Sequence, residues 1–123
     1  MIRENDRGAD VKVLFNPACS KCRTVRGMLE EKGLDAEYIR YLEQTPSRDE
    51  LETVLRMLGT DDPRKMMRRT ETIYRELDLD TADRDGLLDA MVEHPILIER
   101  PIVIRGGRAI IGRPPERALE LFD

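Results

Sequence analysis

Apolar and polar positions near the start of the chain predict a strand followed directly by a helix. The strand is predicted at Val11–Phe15, a short and mostly apolar run that ends at Asn16-Pro17. After Cys19 the apolar residues take the spacing of one helix face, formed by Val25, Met28 and Leu29. Gly33 then marks the end of this helix, because glycine readily adopts the left-handed conformation found there. The cysteines therefore fall at a strand-to-helix junction.

A second strand and several helices are predicted in the middle of the chain. The strand is placed at residues 37–42, and Ser47 with Glu50 forms the pattern of a capping box that begins a helix. The apolar face of that helix consists of Leu51, Val54, Leu55 and Leu58, and Gly59 ends it. Residues 63–77 predict one or two short helices. A further helix has an apolar face formed by Leu87, Leu88, Met91 and Val92, and it ends at His94-Pro95.

The last third predicts a β-hairpin and a final helix. Apolar residues 102–104 and 109–111 flank Gly106-Gly107, and Gly-Gly is a favourable two-residue hairpin turn. Pro114-Pro115 opens the final helix, because proline is tolerated at the first helical positions. The residues expected to bury part of this helix are Leu119, Leu121 and Phe122. The order β-α-β, helical insertion, β-β-α predicts an α/β fold with a thioredoxin-like mixed sheet.

Length and charge limit the classes of protein to consider. At 123 residues we expect a flexible N-terminal lead-in at residues 1–10 and a single domain at residues 11–123. The net charge of −4 gives no overall attraction to nucleic acid or an anionic membrane. No apolar run approaches the roughly 20 residues of a membrane span, and the N-terminal segment lacks the apolar core of a secretory signal. We therefore expect a cytoplasmic protein with neither nucleic acid nor membrane as partner.

The segment from Asn16 to Arg23 carries the most specific chemistry. It places Cys19 just before a helix, where backbone N–H groups and the helix dipole stabilise a thiolate and can hold an oxyanion. Lys21 and Arg23 add positive charge nearby, and Asn16 and Ser20 are expected to support the same loop. Cys19 is therefore the predicted nucleophile.

Cys22 lies one helical turn after Cys19, on the same face of the predicted helix. It is either a resolving thiol that forms a disulfide with Cys19 or a small buried apolar residue. A structural disulfide across so short a loop would stabilise little. Zinc binding would need two further ligands, and His94 is the only histidine, so we expect no metal site.

Several other segments extend the pattern. They are Tyr-Leu-Glu at 41–43, Pro-Ser-Arg-Asp-Glu-Leu at 46–51, Met-Met-Arg-Arg at 66–69, His-Pro-Ile-Leu-Ile-Glu-Arg-Pro-Ile-Val at 94–103 and Ile-Gly-Arg-Pro at 111–114. In this order, over roughly residues 11–122, the chain resembles the glutaredoxin-coupled arsenate reductases, whose fold is thioredoxin-like. The resemblance implies thiol-dependent reduction of arsenate to arsenite.

The resemblance also implies roles for individual residues. Cys19 matches the cysteine that attacks arsenate, and the three arginines that hold the oxyanion match Arg68, Arg100 and Arg113. Pro101 matches a cis-proline beside that cysteine. In this family glutathione supplies the second thiol and glutaredoxin reduces the mixed disulfide, so no bound cofactor is expected. Without the resemblance, the same arginines would be interpreted as solvated or structural residues.

Two positions depart from the family pattern. Phe15 occupies the place where members often have a histidine that helps to activate the cysteine, so activation must come from the helix N-terminus and nearby cations. Cys22 stands where the better-known members have a serine, which leaves thioredoxin open as the electron donor. The alternatives are a Spx-type redox-sensing regulator that binds RNA polymerase through a Cys19/Cys22 switch, and a thiol reductase of the same fold with another substrate.

Overall fold

A computed structural model of the protein describes Ile2 and residues 11–122. Within these residues a four-stranded sheet consists of β1 Val11–Phe15, β2 Ala36–Arg40, β3 Ile102–Arg105 and β4 Arg108–Ile111, in the order β2-β1-β3-β4. β1 and β2 are parallel, whereas β3 is antiparallel to both β1 and β4. The predicted α/β class, the thioredoxin-like mixed sheet and the element order are confirmed.

Helices cover both faces of the sheet. The α-helices of the described chain are α1 Ser20–Glu31, α2 Arg48–Leu58, α3 Thr72–Glu76 and α4 Arg84–Glu93. Short 3₁₀ segments lie at Pro63–Met66, Leu79–Thr81 and Pro95–Leu97, and a longer one at Pro115–Phe122 ends the described chain. No helix in this part of the protein is long and apolar enough to cross a membrane.

Local sequence signals determine the ends of the helices as predicted. The Ser47 hydroxyl accepts the N–H of Glu50 at 3.1 Å, and the Glu50 carboxylate accepts the N–H of Ser47 at 3.0 Å, which completes the capping box. Gly33 and Gly59 follow α1 and α2 with φ of 71° and 81°. Glu50 also accepts the N–H of the buried Ile2 at 3.0 Å; the rest of the predicted lead-in lies outside the described residues.

Three details differ from the prediction. β2 ends at Arg40 and does not reach residue 42, because the Arg40 carbonyl accepts two N–H groups of the following turn, at 2.9 and 2.8 Å. Val92 is exposed, since at about 100° per residue it lies beyond Met91, at the margin of the buried face of α4. The final helix is a 3₁₀ helix that begins at Pro115.

Successive side chains of each strand point to opposite faces of the sheet, and this divides the core into two parts. One part packs α2 and α4 against a face of the sheet that includes Leu14, Ile39 and Ile102. The other packs α1 and the final helix against a face that includes Val13, Phe15 and Val103. The carboxyl ends of β1 and β2 therefore meet at one edge between these layers, and the segment before β3 reaches the same edge, because Leu14 pairs with Ile102.

Arg64 holds the helical insertion together. Its guanidinium donates to the carbonyl oxygens of Leu79, Asp80 and Ala82 at 2.8, 3.1 and 3.0 Å, and its Nε donates to the Tyr74 hydroxyl at 3.2 Å. One charged side chain thus joins three backbone carbonyls of the segment that follows α3. The insertion therefore has a defined shape although its helices are short.

The insertion is also joined to the segment that precedes β3. The N–H of Arg68 donates to the Leu97 carbonyl at 2.7 Å, and the N–H of Glu99 donates to the Met66 carbonyl at 2.8 Å. These two backbone hydrogen bonds form a short antiparallel bridge. As a result, Arg68 lies alongside the segment that carries Arg100.

Candidate active site

The loop between β1 and α1 presents Cys19 at the N-terminus of the helix. Cys19 is the N-cap residue, with φ −90° and ψ 124°. The Asn16 side-chain oxygen accepts the N–H of Ala18 at 3.0 Å, and the Asn16 carbonyl accepts the N–H of Cys19 at 2.9 Å. This Asx turn fixes the direction in which the chain enters the helix, so the predicted supporting role of Asn16 has a structural basis.

The pKa of the Cys19 thiol is lowered. Partial burial alone would raise it, but hydrogen bonds that stabilise the thiolate outweigh burial. The donors are, in decreasing order of effect, the backbone N–H and the thiol of Cys22, the Arg100 guanidinium and the backbone N–H of Lys21. The helix N-terminus and an arginine thus favour the thiolate of Cys19 although Phe15 replaces the histidine.

Cys22 has the opposite character. It is fully buried, its sulfur lies 3.5 Å from the N–H of Asn16, and burial raises the pKa of its thiol to about 12. Cys22 packs in the core between α1 and the sheet, as the apolar interpretation expects, and its thiol also donates to Cys19, as a resolving thiol requires. The pair therefore combines one partly exposed thiol with a lowered pKa and one protonated, buried thiol.

This asymmetry predicts different alkylation of the two cysteines with pH. We expect iodoacetamide to modify Cys19 with a midpoint at lower pH than in the unfolded protein, because its folded-state pKa is lowered. Cys22 should stay unmodified across the same range, because its pKa is about 12. Mass spectrometry of tryptic peptides measures both rates. In guanidinium chloride the two cysteines should react alike, and equal rates in the folded protein would contradict the assignment.

Arg113 lies beside Cys19 from the opposite end of the chain. Its Nη2 is 3.9 Å from the Cys19 sulfur, and its Nε donates to the Arg100 carbonyl at 2.8 Å. The Glu99 carboxylate lies 3.5 Å from the same Nε. The backbone carbonyl and the carboxylate hold one edge of the guanidinium, which leaves Nη2 directed at the sulfur.

Arg100 and Pro101 join through a cis peptide bond, as the resemblance implied for Pro101. Pro101 is buried, and its carbonyl accepts the N–H of Gly112 at 2.8 Å. A Cβ atom at Gly112 would lie 3.0 Å from Pro101 Cγ and 3.2 Å from Val25 Cγ2, so glycine permits this close approach. Arg100 donates to Cys19, while its Nε and Nη1 are buried without an acceptor among the described residues.

The third predicted arginine, Arg68, is held on the insertion side. Its Nε donates to the Glu71 carboxylate at 3.0 Å, and its side chain is 19% exposed. Within the described chain, no hydrogen bond joins Arg68 to Cys19. The structure therefore brings Arg100 and Arg113 directly to the sulfur and places Arg68 beside them, paired with a carboxylate.

The remaining predicted residues lie at the rim. Ser20 is exposed and begins α1, and its carbonyl accepts the Thr24 hydroxyl at 3.0 Å. Arg23 is also exposed, and its Nη1 donates to the Pro17 carbonyl at 2.9 Å, which ties the first turn of α1 to the loop. Neither side chain has a hydrogen bond to Cys19 in the described structure; Arg23 supports the loop through Pro17.

Sequence reasoning missed the carboxylates that orient the arginines. Glu71 follows Arg68 by three residues, a spacing typical of ion pairs, and that signal was available. Glu99 adjoins Arg100 in sequence but pairs with Arg113, which no local pattern indicates. The described residues contain no cluster of three or more side chains suited to a metal ion.

The arrangement is suited to attack on an anionic, tetrahedral centre. A thiolate at a helix N-terminus lies next to two guanidinium groups, and guanidinium donors bind the oxygens of a dianion and the charge that develops on them. Such a site supports nucleophilic chemistry of Cys19 on an oxyanion.

Comparison with known proteins identifies the family. The ArsC family model matches residues 14–121. The chain is 44% identical over 109 residues to the arsenate reductase of Neisseria meningitidis, covering 87% of this chain and 93% of the relative. It is 45% identical over 114 residues to the arsenate reductase of Haemophilus influenzae, covering 91% and 98%. The structure of the arsenate reductase from Vibrio cholerae superposes with a TM-score of 0.88 at 46% identity, covering 90% of this chain and 96% of the other. With this fold, this site and a match over most of its length, the chain belongs to the ArsC family.

Proposed function

We propose that this protein reduces arsenate to arsenite, with Cys19 as the nucleophile and Arg68, Arg100 and Arg113 as the residues that hold the oxyanion. The observation that carries the proposal is the position of Arg113 Nη2, 3.9 Å from the sulfur of Cys19, whose pKa is lowered by hydrogen bonds that include one from Arg100. The relatives named arsenate reductases support arsenate as the substrate.

In the first step the Cys19 thiolate attacks arsenic. A sulfur–arsenic bond forms, and one arsenic–oxygen bond breaks; the departing hydroxyl takes a proton and leaves as water. Arsenic is still As(V) in this adduct. Arg100 and Arg113 stabilise the negative charge on the remaining oxygens, and the N–H groups at the start of α1 add to this effect. Arg68 lies on the side of the site formed by the helical insertion.

In the second step we infer that Cys22 loses its proton to an oxygen of the arsenic group, and that its thiolate attacks the Cys19 sulfur. The electron pair of the sulfur–arsenic bond stays on arsenic, which leaves as As(III) in arsenite, and the two sulfurs form a disulfide. Burial is the largest cause of the raised pKa of Cys22, and the negative charge of Cys19 and its hydrogen bond with Cys22 add to it. Once Cys19 carries arsenic, its sulfur is no longer a thiolate and the negative charge lies on oxygens held by the arginines, while Arg100 and the Asn16 N–H still favour the Cys22 thiolate.

The thiol that acts second, Cys22 or glutathione, determines which protein supplies the electrons. A Cys19–Cys22 disulfide is reduced by a dithiol protein such as thioredoxin or a glutaredoxin-like protein. If Cys22 takes no part, glutathione attacks the adduct at Cys19 directly, and glutaredoxin then reduces the mixed disulfide. Neither route needs a bound cofactor.

The experiment measures arsenite formed from arsenate with thioredoxin and its reductase in one reaction and glutathione with glutaredoxin in another. We expect the wild-type protein to turn over with thioredoxin, and Cys22→Ser to lose at least about tenfold in that reaction while it keeps the glutathione-driven one. Equal thioredoxin-driven rates for both proteins would assign Cys22 to packing alone. No arsenite with either donor would contradict the arsenate assignment, and binding to RNA polymerase would then be measured.

A further inference from the structure

Tyr41 is a fully buried tyrosine at the edge of the sheet that carries the site. It directly follows β2, and the parallel register of β1 and β2 places Phe15 opposite Arg40. Tyr41 and Asn16 are therefore the next residues on the two strands, and they leave the sheet side by side. The exposed fraction of Tyr41 is 0%.

The Tyr41 hydroxyl has no hydrogen-bond partner among the residues that the structure describes. Tyr74, by contrast, accepts from Arg64 Nε at 3.2 Å and donates to Asp80 at 3.0 Å. An unpaired buried hydroxyl is unfavourable, and phenylalanine would fill the same space without it. The hydroxyl of Tyr41 is therefore free to donate to an acceptor on a ligand.

Arg100, whose segment reaches the same edge of the sheet, also has unpaired donors. Its Nε and Nη1 are buried and have no acceptor in the described chain. Burial raises the pKa of Tyr41 to about 12, and Arg100, Cys22 and Arg68 are the groups whose charges act most on the hydroxyl after burial. The hydroxyl therefore remains protonated, and after burial the charge that acts on it most is that of Arg100, which also lowers the pKa of Cys19.

We propose that Tyr41 is a further oxyanion-binding residue, whose hydroxyl donates a hydrogen bond to an oxygen of the arsenate held by Arg100. This inference rests on the proposed function and adds a neutral donor to the arginines. A tetrahedral oxyanion presents oxygens in several directions, so one oxygen can accept from Tyr41 and Arg100 while arsenic faces Cys19. A hydrogen bond to a charged acceptor contributes roughly tenfold to a hundredfold in binding.

The test compares Tyr41→Phe with Tyr38→Phe. The Tyr38 hydroxyl is also buried and unpaired in the described structure, but the charges that act on it are those of Glu30 and Arg26. The first measurement is the arsenate concentration that gives half-protection of Cys19 from iodoacetamide; the second is KM and kcat for arsenate.

For Tyr41→Phe we expect the half-protecting concentration and KM to rise about tenfold to a hundredfold, with an unchanged or higher unfolding midpoint. Tyr38→Phe should match the wild type in protection and KM. If the wild type is active and Tyr41→Phe has the same half-protecting concentration and the same KM, the role of Tyr41 is overturned, whereas the proposed arsenate reduction stands. The inference is also overturned if arsenate protects Tyr41→Phe and the wild type equally and only the thioredoxin-driven rate of the variant falls. The hydroxyl would then act on the step that Cys22 performs and not on arsenate binding. If arsenate neither protects the wild type nor turns over, the proposed function fails as well.

Discussion

Cys19→Ser is expected to abolish arsenite formation with either electron donor. A serine hydroxyl stays protonated at neutral pH and is a weak nucleophile, so the donors that lower the pKa of Cys19 have no thiolate to stabilise. We expect a loss of about 10⁴-fold or more, to the rate without protein. The measurement is arsenite production over a range of pH, which should recover no activity at any value.

The same substitution should leave the protein at least as stable as before. Cys19 occupies the N-cap position of α1, and its side chain makes no capping hydrogen bond. Serine is among the best N-cap residues, so a serine cap on α1 should raise the free energy of unfolding of the protein by about 0.5–1 kcal/mol. Urea unfolding measures this change. Residual turnover in a well-folded Cys19→Ser protein would mean that another residue is the nucleophile. Cys22→Ser, which keeps Cys19, is the matched control in the glutathione-driven reaction.

The fold could be predicted well because its signals are local. The Ser47–Glu50 capping box, the glycine at the end of α1 and the Gly106-Gly107 turn each depend on a few neighbouring residues. Element bounds were less accurate where a turn competes with a strand, as after Arg40, or where a residue lies at the margin of a helix face, as Val92 does.

The candidate site could be predicted only in part. Cys19 was identified from its place before a helix, and the arginines from a resemblance, because no local pattern separates a ligand-binding arginine from a solvated one. The pairing of Glu99 with Arg113 and the effect of the Arg100 charge on the buried Tyr41 depend on segments distant in sequence. Such contacts exist only once β3 and the insertion have met at the edge of the sheet.

Arg100→Met is expected to reduce arsenate turnover about 10²–10³-fold, the usual effect of removing one donor from an oxyanion site. Arg100 donates to Cys19 and has two further buried nitrogens free for substrate oxygens. The variant should also raise the pKa of Cys19, so the iodoacetamide profile shifts to higher pH. Arg69→Met is the control, because Arg69 is exposed and pairs with Asp80 at 3.6 Å, on the outside of the insertion.

Stability separates a binding role for Arg100 from a structural one. A buried guanidinium with two unpaired nitrogens is unfavourable, and methionine fills a similar volume without charge, so the free energy of unfolding should stay equal or rise by about 1 kcal/mol or more. Urea unfolding of Arg100→Met alongside the wild type measures this directly. If Arg100 served to hold the fold, stability and turnover would fall together; full turnover in a stable variant would remove it from the oxyanion site. If Arg100 binds the oxyanion and does not hold the fold, Arg100→Met should lose turnover and keep its stability.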